Sequence, residues 1–280
     1  VTSRRSGAPP PRGEPHRARK SLGQNFLVDR GFQRRIVEAL GAGPEDEVLE
    51  IGPGRGALTD HLVGQVGRLV LVELDDVLAA ALQRRYADDP SVEVIHADIL
   101  SRDLASLSRH PGSLKVIGNI PYNVTTPILF HVLEPPRPAS IVLMVQEEVA
   151  DRISAPPGGK TYGALSVGVG AVARVERVMR VPRGVFRPVP GVDSAVIRIV
   201  PLDPPPIGPE EEQFFRILVR SCFQWRRKQL GTILRDHPEL KGHPGAQDHL
   251  ETLGIDPRRR PETLDPGLFL TLARALRPEG

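Results

Sequence analysis

The chain has 280 residues, enough for two domains, and a hydrophobic content of 40% can fill a core. No apolar run approaches the roughly 18 residues needed to span a bilayer, and a single cysteine, Cys222, excludes an internal disulfide or a thiolate metal cluster. The net charge is only +3, but the basic residues are mostly arginine, which suits phosphate forks and base stacking better than lysine does. A reducing, cytoplasmic setting fits this cysteine usage. The eight histidines are scattered without ligand spacing, so no metal site is expected.

Residues 1–19 hold Arg4, Arg5, Arg12, Arg17 and Arg19 among prolines and glycines. Such a stretch cannot bury apolar surface and reads as a disordered basic tail, able to lie loosely on RNA phosphates. Its prolines spoil an amphipathic targeting helix. Gln24-Asn25 follows, bracketed by Leu22, Phe26 and Leu27, and reads as a capping turn or as a lid over a ligand. Phe32, Ile36, Val37 and Leu40 then share one helical face.

Glu47–Ile51 reads as a buried strand that runs into Gly52-Pro53-Gly54-Arg55-Gly56 and a helix over 57–65. Strand, glycine turn and helix form the nucleotide-binding corner of a doubly wound fold. The pattern is Glu-x-Gly-x-Gly-x-Gly, with no Gly-Lys-Ser/Thr after it, which argues against a phosphate cradle. Glu50, two residues before the first glycine, suits a cationic, phosphate-free cofactor such as S-adenosylmethionine. A second strand, Arg68–Val72, ends in Glu73, about 20 residues past Gly52, where such folds place the acceptor for ribose hydroxyls. A third, Val92–His96, ends near Asp98, which is placed to accept from an adenine amino group. These groups all fall at the carboxyl ends of successive strands, where ligands bind in open α/β sheets.

The fourth strand, Lys115–Gly118, delivers Asn119-Ile120-Pro121-Tyr122 to the same edge. The Asn119 amide oxygen and the Pro121 carbonyl can each accept a hydrogen from an exocyclic NH2, and the Tyr122 ring can stack on the heterocycle that bears it. Beyond lie an amphipathic helix over 128–133, a buried strand over 140–145 and a helix from Gln146 to Arg152. A flexible Pro-Pro-Gly-Gly-Lys loop follows at 156–160, and Leu165–Val172 and Ala195–Val200 read as the last two strands. Between these two strands, Phe186 opens a stiff run of alternating prolines, as a base-stacking ring or as a hydrophobic plug. Pro201–Pro209 marks a domain boundary, and a small basic helical segment completes the chain. In it, Arg226-Arg227-Lys228 reads as a phosphate clamp or as a solvated helix end.

With these residues in hand, the chain resembles the KsgA/RsmA family of small-subunit ribosomal RNA adenine dimethyltransferases. The matching stretches are Leu-Gly-Gln-Asn-Phe-Leu (22–27), Glu-Ile-Gly-Pro-Gly-x-Gly (50–56), Val-Glu-x-Asp (72–75) and Ala-Asp-Ile-Leu (97–100). They continue with Gly-Asn-Ile-Pro-Tyr-Asn-Val-Thr-Thr-Pro (118–127), Val-Gln-x-Glu-Val-Ala-x-Arg (145–152) and Phe-x-Pro-x-Pro-x-Val-Asp-Ser-Ala-Val (186–196). Arg-Arg-Lys (226–228) and Arg-Pro-Glu-x-Leu (260–264) complete the set.

The resemblance implies a Rossmann-like S-adenosylmethionine-dependent methyltransferase domain over 20–202 and a small all-α C-terminal domain over 203–280. It implies dimethylation of two adjacent adenosines in the hairpin near the 3′ end of small-subunit rRNA, within a pre-small ribosomal subunit. A cytoplasmic monomer is the expectation. Asn25, Leu27, Gly52, Glu73, Asp98 and Asn119 would contact the cofactor. Asn119, Pro121 and Tyr122 would hold the target base, with Phe186 stacking on its far side. The family often has Lys where Glu147 and Gly191 stand, so two phosphate contacts would be missing. A large-subunit rRNA methyltransferase of the macrolide-resistance type shares the Asn-x-Pro-Tyr core and is the nearest alternative. A non-catalytic RNA-binding or transcription factor on the same fold is the alternative of another class.

Overall fold

β-branched apolar runs alternate with amphipathic ones along most of the chain, and each kind takes its own place in the fold. In the computed structural model, which describes residues 19, 23–241 and 246–277, the order begins β1 (Phe26–Leu27), α1 (Arg30–Leu40), β2 (Glu47–Ile51), α2 (Thr59–Leu62), β3 (Arg68–Glu73), α3 (Asp76–Arg85) and β4 (Val92–His96). It continues with β5 (Lys115–Asn119), α4 (Thr125–Val132), β6 (Ser140–Gln146), α5 (Glu147–Ile153), α6 (Ala164–Gly170), β7 (Ala173–Val181), β8 (Phe186–Arg187) and β9 (Ser194–Pro201). Four helices close the chain: α7 (Pro209–Gln224), α8 (Leu230–Asp236), α9 (Ala246–Thr252) and α10 (Pro266–Leu276). The basic tail and Leu22 lie outside the described residues, apart from Arg19.

Side-chain caps set the helix starts. Asp29 accepts from the Gly31 and Phe32 amides at α1, and Asp75 from the Val77 and Leu78 amides at α3. Proline and three glutamates occupy the first turn of α7, where a fixed φ and negative charge both favour a start.

Seven strands form one sheet in the order β4-β3-β2-β5-β6-β9-β7. The first five are parallel, and β9 runs antiparallel to both β6 and β7. A separate two-stranded pair joins β1 to β8. The central strands are buried on both faces, and their side chains divide between two cores. Val48, Leu69, Ile117 and Val142 pack with α1 and α2 on one face. Leu49, Val70, Val116 and Ile141 pack on the other, in a core that runs on through α4 and α6 into α7, α8 and α10.

The apolar core thus continues across the proline-rich stretch 201–209. Polar ties cross it as well. Arg137, before β6, pairs with Glu212 of α7 where both are almost fully buried, and the Tyr162 hydroxyl donates to the Leu264 carbonyl at 2.7 Å.

Three expected elements change. Leu165–Val172 alternates like a strand but lies mostly in α6. A Cβ on Gly168 would come within 2.7 Å of the Phe130 ring, so this bare position on α6 lets α4 approach closely. The strand partner of β9 is instead β7, whose alternation is broken by an irregularity between Arg177 and Met179. The helix expected over 57–65 is only the single turn α2.

Candidate active site

From β2 the chain steps outward to β3 and β4 on one side, and the later strands β5 and β6 lie on the other. The sheet order therefore reverses between β2 and β5, and a crevice opens beyond the carboxyl ends of these two strands. Gly52 and Gly54 in the turn after β2 have φ of 66° and 60°, a left-handed conformation that side chains disfavour. The turn is fixed through main-chain bonds. The Gly52 amide donates to the Val72 carbonyl at 2.9 Å, and the Gly54 amide to Glu73 Oε2 at 2.9 Å. Glu73 Oε1 accepts from the Asp75 amide at 2.8 Å. Glu73 thus straps the turn to the end of β3, and its burial raises the carboxyl pKa.

Glu50 lies under the same turn, fully buried, and accepts from the Thr59 hydroxyl at 2.7 Å. Burial pushes its carboxyl up to about 8, with the negative charges of Glu73 and Asp60 adding to the rise and the Thr59 bond opposing it. Asp98 follows β4 and is exposed at the cavity edge, where it accepts from the Leu100 amide at 3.0 Å. The Arg55 guanidinium lies over the Phe26 ring, 4.4 Å from its centroid. Among the described lining residues, Arg55 is the only cationic side chain, against Glu50, Glu73 and Asp98.

The segment before β1, Gly23 to Asn25, forms part of the cavity wall. Gln24 donates to Asp75 Oδ2 at 3.0 Å, and Asn25 donates to the Gly23 carbonyl at 3.1 Å. Asn119 Nδ2 donates to the Asn25 carbonyl at 3.0 Å. Because that partner is an acceptor only, the bond orients the amide and leaves Oδ1 as its free-facing acceptor.

Asn25, Leu27, Gly52, Glu73, Asp98, Asn119, Pro121 and Tyr122 all line this one cavity. Two of the expected roles change. The Pro121 carbonyl already accepts from the Val124 amide and the Thr125 hydroxyl, both at 3.2 Å, so it closes a turn and is not an open acceptor. Phe186 is fully buried and does not line the cavity. Its β8 pairs with β1, Leu27 opposite Phe186, and the ring packs in the core with Val181 and Val196. The expected base-stacking ring is a plug.

Sequence reasoning passed over Ser194. It is fully buried, and its hydroxyl lies 2.7 Å from that of Tyr122. A buried serine opening an otherwise apolar strand, Ser-Ala-Val-Ile, was the available signal, since such a hydroxyl needs a partner.

The cationic triplet divides. Arg226 donates to the carbonyls of Lys160 and Gly159 at 2.8 and 3.0 Å, whereas Arg227 and Lys228 are exposed. Glu147 pairs with Arg177 and Arg180, at 2.6 and 3.2 Å.

The profile of the family described as ribosomal RNA adenine dimethylase matches residues 15–277. The ribosomal RNA small subunit methyltransferase A of Geobacter metallireducens is 46% identical over 268 residues, covering 95% of this chain and 98% of that protein. Its counterpart in Pseudomonas syringae is 40% identical, covering 93% and 95%. Among solved structures, a dimethyladenosine transferase from Plasmodium falciparum superposes with a TM-score of 0.74 at 26% identity, covering 88% of this chain and 95% of that one. The 23S rRNA methyltransferase ErmE superposes with a TM-score of 0.67 at 28% identity, covering 90% and 99%.

Proposed function

This chain belongs to the ribosomal RNA adenine dimethylase family, and we propose that it dimethylates the N6 amino groups of two adjacent adenosines in the hairpin near the 3′ end of small-subunit rRNA. The substrate in this proposal is the rRNA within a pre-small ribosomal subunit, and the enzyme acts as a cytoplasmic monomer. No described helix is long and apolar enough to cross a membrane.

The methyl donor is S-adenosylmethionine, and the cavity suits it. The glycine turn exposes backbone for close approach, and Glu73 and Asp98 offer acceptors at the ends of β3 and β4. These two acids against one base, with Glu50 able to ionise beside a cation, favour a cationic ligand without phosphates. When bound, the cofactor supplies an electrophilic methyl group on a sulfonium. Glu73 would hold the ribose and Asp98 the adenine amine, and Arg55 the carboxylate of the methionine moiety.

The observation that carries the proposal is the orientation of Asn119. Adenine N6 is a poor nucleophile because its lone pair is delocalised into the ring. Asn119 Oδ1, fixed by the bond from Nδ2 to the Asn25 carbonyl, accepts one N6 hydrogen. With the Pro121 carbonyl engaged, the proposal gives the second hydrogen to the main-chain carbonyl of Ile120, a residue that lines the cavity. Two accepted hydrogens draw N6 toward a tetrahedral shape and localise its lone pair, so these groups act by positioning and electrostatics. The base must leave its stack at a cost of a few kcal/mol, and stacking on Tyr122 offsets about 1–3 kcal/mol of it.

Incubation with methyl-labelled S-adenosylmethionine and unmethylated small subunits, with large-subunit rRNA in parallel, tests the proposal. Dimethyladenosine confined to small-subunit RNA is expected. Label only in large-subunit RNA would move the substrate to that of the ErmE-like enzymes. No label in either, despite cofactor binding, would overturn the catalytic reading.

A further inference from the structure

The stretch from Phe186 to Ser194 touches a residue of the cavity wall, Tyr122, through its last residue, while its aromatic ring stays in the core. Ser194 opens β9, sits opposite Gln146 on β6 and opposite Val181 on β7, and is fully buried. Its neighbour Asp193 is tied down on several sides. The Asp193 carboxylate accepts from the Arg183 amide at 2.9 Å and from the Arg180 guanidinium at 2.7 Å, and its carbonyl accepts from the Glu147 amide at 3.1 Å. The Ser194 hydroxyl is therefore a fixed point of the sheet.

Tyr122 has no such support of its own. It starts a single 3-10 turn, Tyr122–Val124, outside the sheet, and its ring is only half-buried at the cavity wall. Among the described residues, its side chain makes one hydrogen bond, the 2.7 Å contact between its hydroxyl and Ser194 Oγ. That bond grips the ring at the end farthest from Cα, so it fixes the first side-chain torsion and the direction of the ring axis. Rotation about that axis, on which the hydroxyl oxygen lies, is left to packing at the cavity wall. A stacking surface held this way is formed before the base arrives, and its ordering is not charged against binding.

We propose that Ser194 is a positioning residue for methyl transfer: its hydroxyl anchors that of Tyr122, so that the ring presents its face to the target adenine beside Asn119. The proposal rests on the reading above that Tyr122 stacks on the base. It assigns the Val-Asp-Ser end of the motif a role at the cavity, and it leaves Phe186 in the core.

Three variants test it: Ser194→Ala, Tyr122→Phe and the double variant. Each single change should leave the dissociation constant for S-adenosylhomocysteine within about twofold of wild type and lower kcat/KM for small subunits about tenfold, the scale of one lost hydrogen bond. The double variant should be no slower than either single one, because both changes remove the same bond. Ser194→Thr, which keeps the hydroxyl, should recover most of the rate. A wild-type rate for Ser194→Ala, or a double variant slowed by the product of the two single effects, would overturn the proposal. Tyrosine-labelled NMR supplies a readout that does not depend on RNA. Three-bond couplings across the Tyr122 Cα–Cβ bond should report a single χ1 rotamer in the wild-type protein and averaging over rotamers in Ser194→Ala, and averaging in the wild type would itself overturn the anchor. Absence of labelling by the wild-type enzyme would instead overturn the proposed function, and the χ1 couplings would still decide whether Ser194 holds Tyr122.

Discussion

The cavity has two sides, and they are built by different means. On the side proposed for the cofactor, the groups sit at or just beyond the ends of neighbouring strands: Glu50 and the glycine turn at β2, Glu73 at β3, Asp98 past β4. On the side proposed for the base, each group is set by a partner far away in the chain: Asn119 by the Asn25 carbonyl, and Tyr122 by Ser194. A site made of strand ends can be read from spacing, because the sheet alone brings the groups together. A site made of cross-chain hydrogen bonds cannot, since spacing does not say which side chain answers which. Phe186 shows the difference, because its motif marks a segment near the base side while its ring belongs to the core.

Phe186→Ala is the strongest way to break this comparison. Removal of a fully buried phenylalanine should cost about 3–5 kcal/mol of stability, read from denaturant melting. The loss should carry to the cofactor side as well, because β8 pairs with β1 and the adjoining residues Asn25 to Leu27 line the cavity. A variant that melts like the wild type and fails only to capture the base would return Phe186 to the base side.

Asn119→Ala tests the base side by itself. Loss of one preorganised group at the reacting atoms typically costs about 10²–10³ in kcat, or about 3–4 kcal/mol. S-adenosylhomocysteine binding and the melting midpoint report whether the variant is folded, and near-normal turnover by a folded variant would sink the assignment. Asn119→Asp should be no substitute, because a carboxylate oxygen would then face the Asn25 carbonyl where Nδ2 now donates.

Much of the sheet was legible for the same reason as the cofactor side. Glu47–Ile51, Lys115–Gly118 and Ser140–Val145 are short β-branched runs bounded by turn residues, and each proved a parallel strand. Leu165–Val172 was misread because its alternation of valine and glycine has the period of a strand. Only the fold shows that Gly168 is bare to admit the Phe130 ring. Pro121 was misassigned in the same way. Its carbonyl points where a turn needs an acceptor, and the donors, Val124 and Thr125, follow it in sequence without announcing themselves.

Glu50→Gln sharpens the cofactor side through pH. Burial pushes the Glu50 carboxyl from 4.5 up to about 8, so the folded chain keeps a proton that the unfolded chain releases. The associated stability is fully present below about 4.5 and is lost as pH rises toward about 8, with a slope of at most about 1.4 kcal/mol per pH unit. Melting midpoints of the cofactor-free protein should therefore fall between pH 5 and 8 on this account, and the fall should flatten in Glu50→Gln. A cationic ligand favours the ionised carboxyl, so S-adenosylmethionine binding at pH 7 should release protons in wild type and fewer in the variant. Calorimetry in buffers of different ionisation enthalpy reads that difference, and equal proton release in both would remove Glu50 from the cofactor side.

The smallest effect should come from the cation triplet, where sequence alone could not separate scaffold from RNA contact. Arg226 is tied to the carbonyls of Gly159 and Lys160, and with about 33% of its side chain exposed those bonds are partly screened. Arg226→Ala should then cost about 1 kcal/mol or less and loosen loop 156–160, seen as faster amide exchange there. Arg227 and Lys228 are exposed, so their alanine variants should melt like the wild type. Each should instead weaken RNA binding and reduce the slope of log affinity against log salt by about one. Three adjacent cations would then divide between the two kinds of construction, the first holding a loop by a long-range bond and the other two facing phosphate. Identical salt slopes for all three variants would show that the triplet acts as one clamp after all.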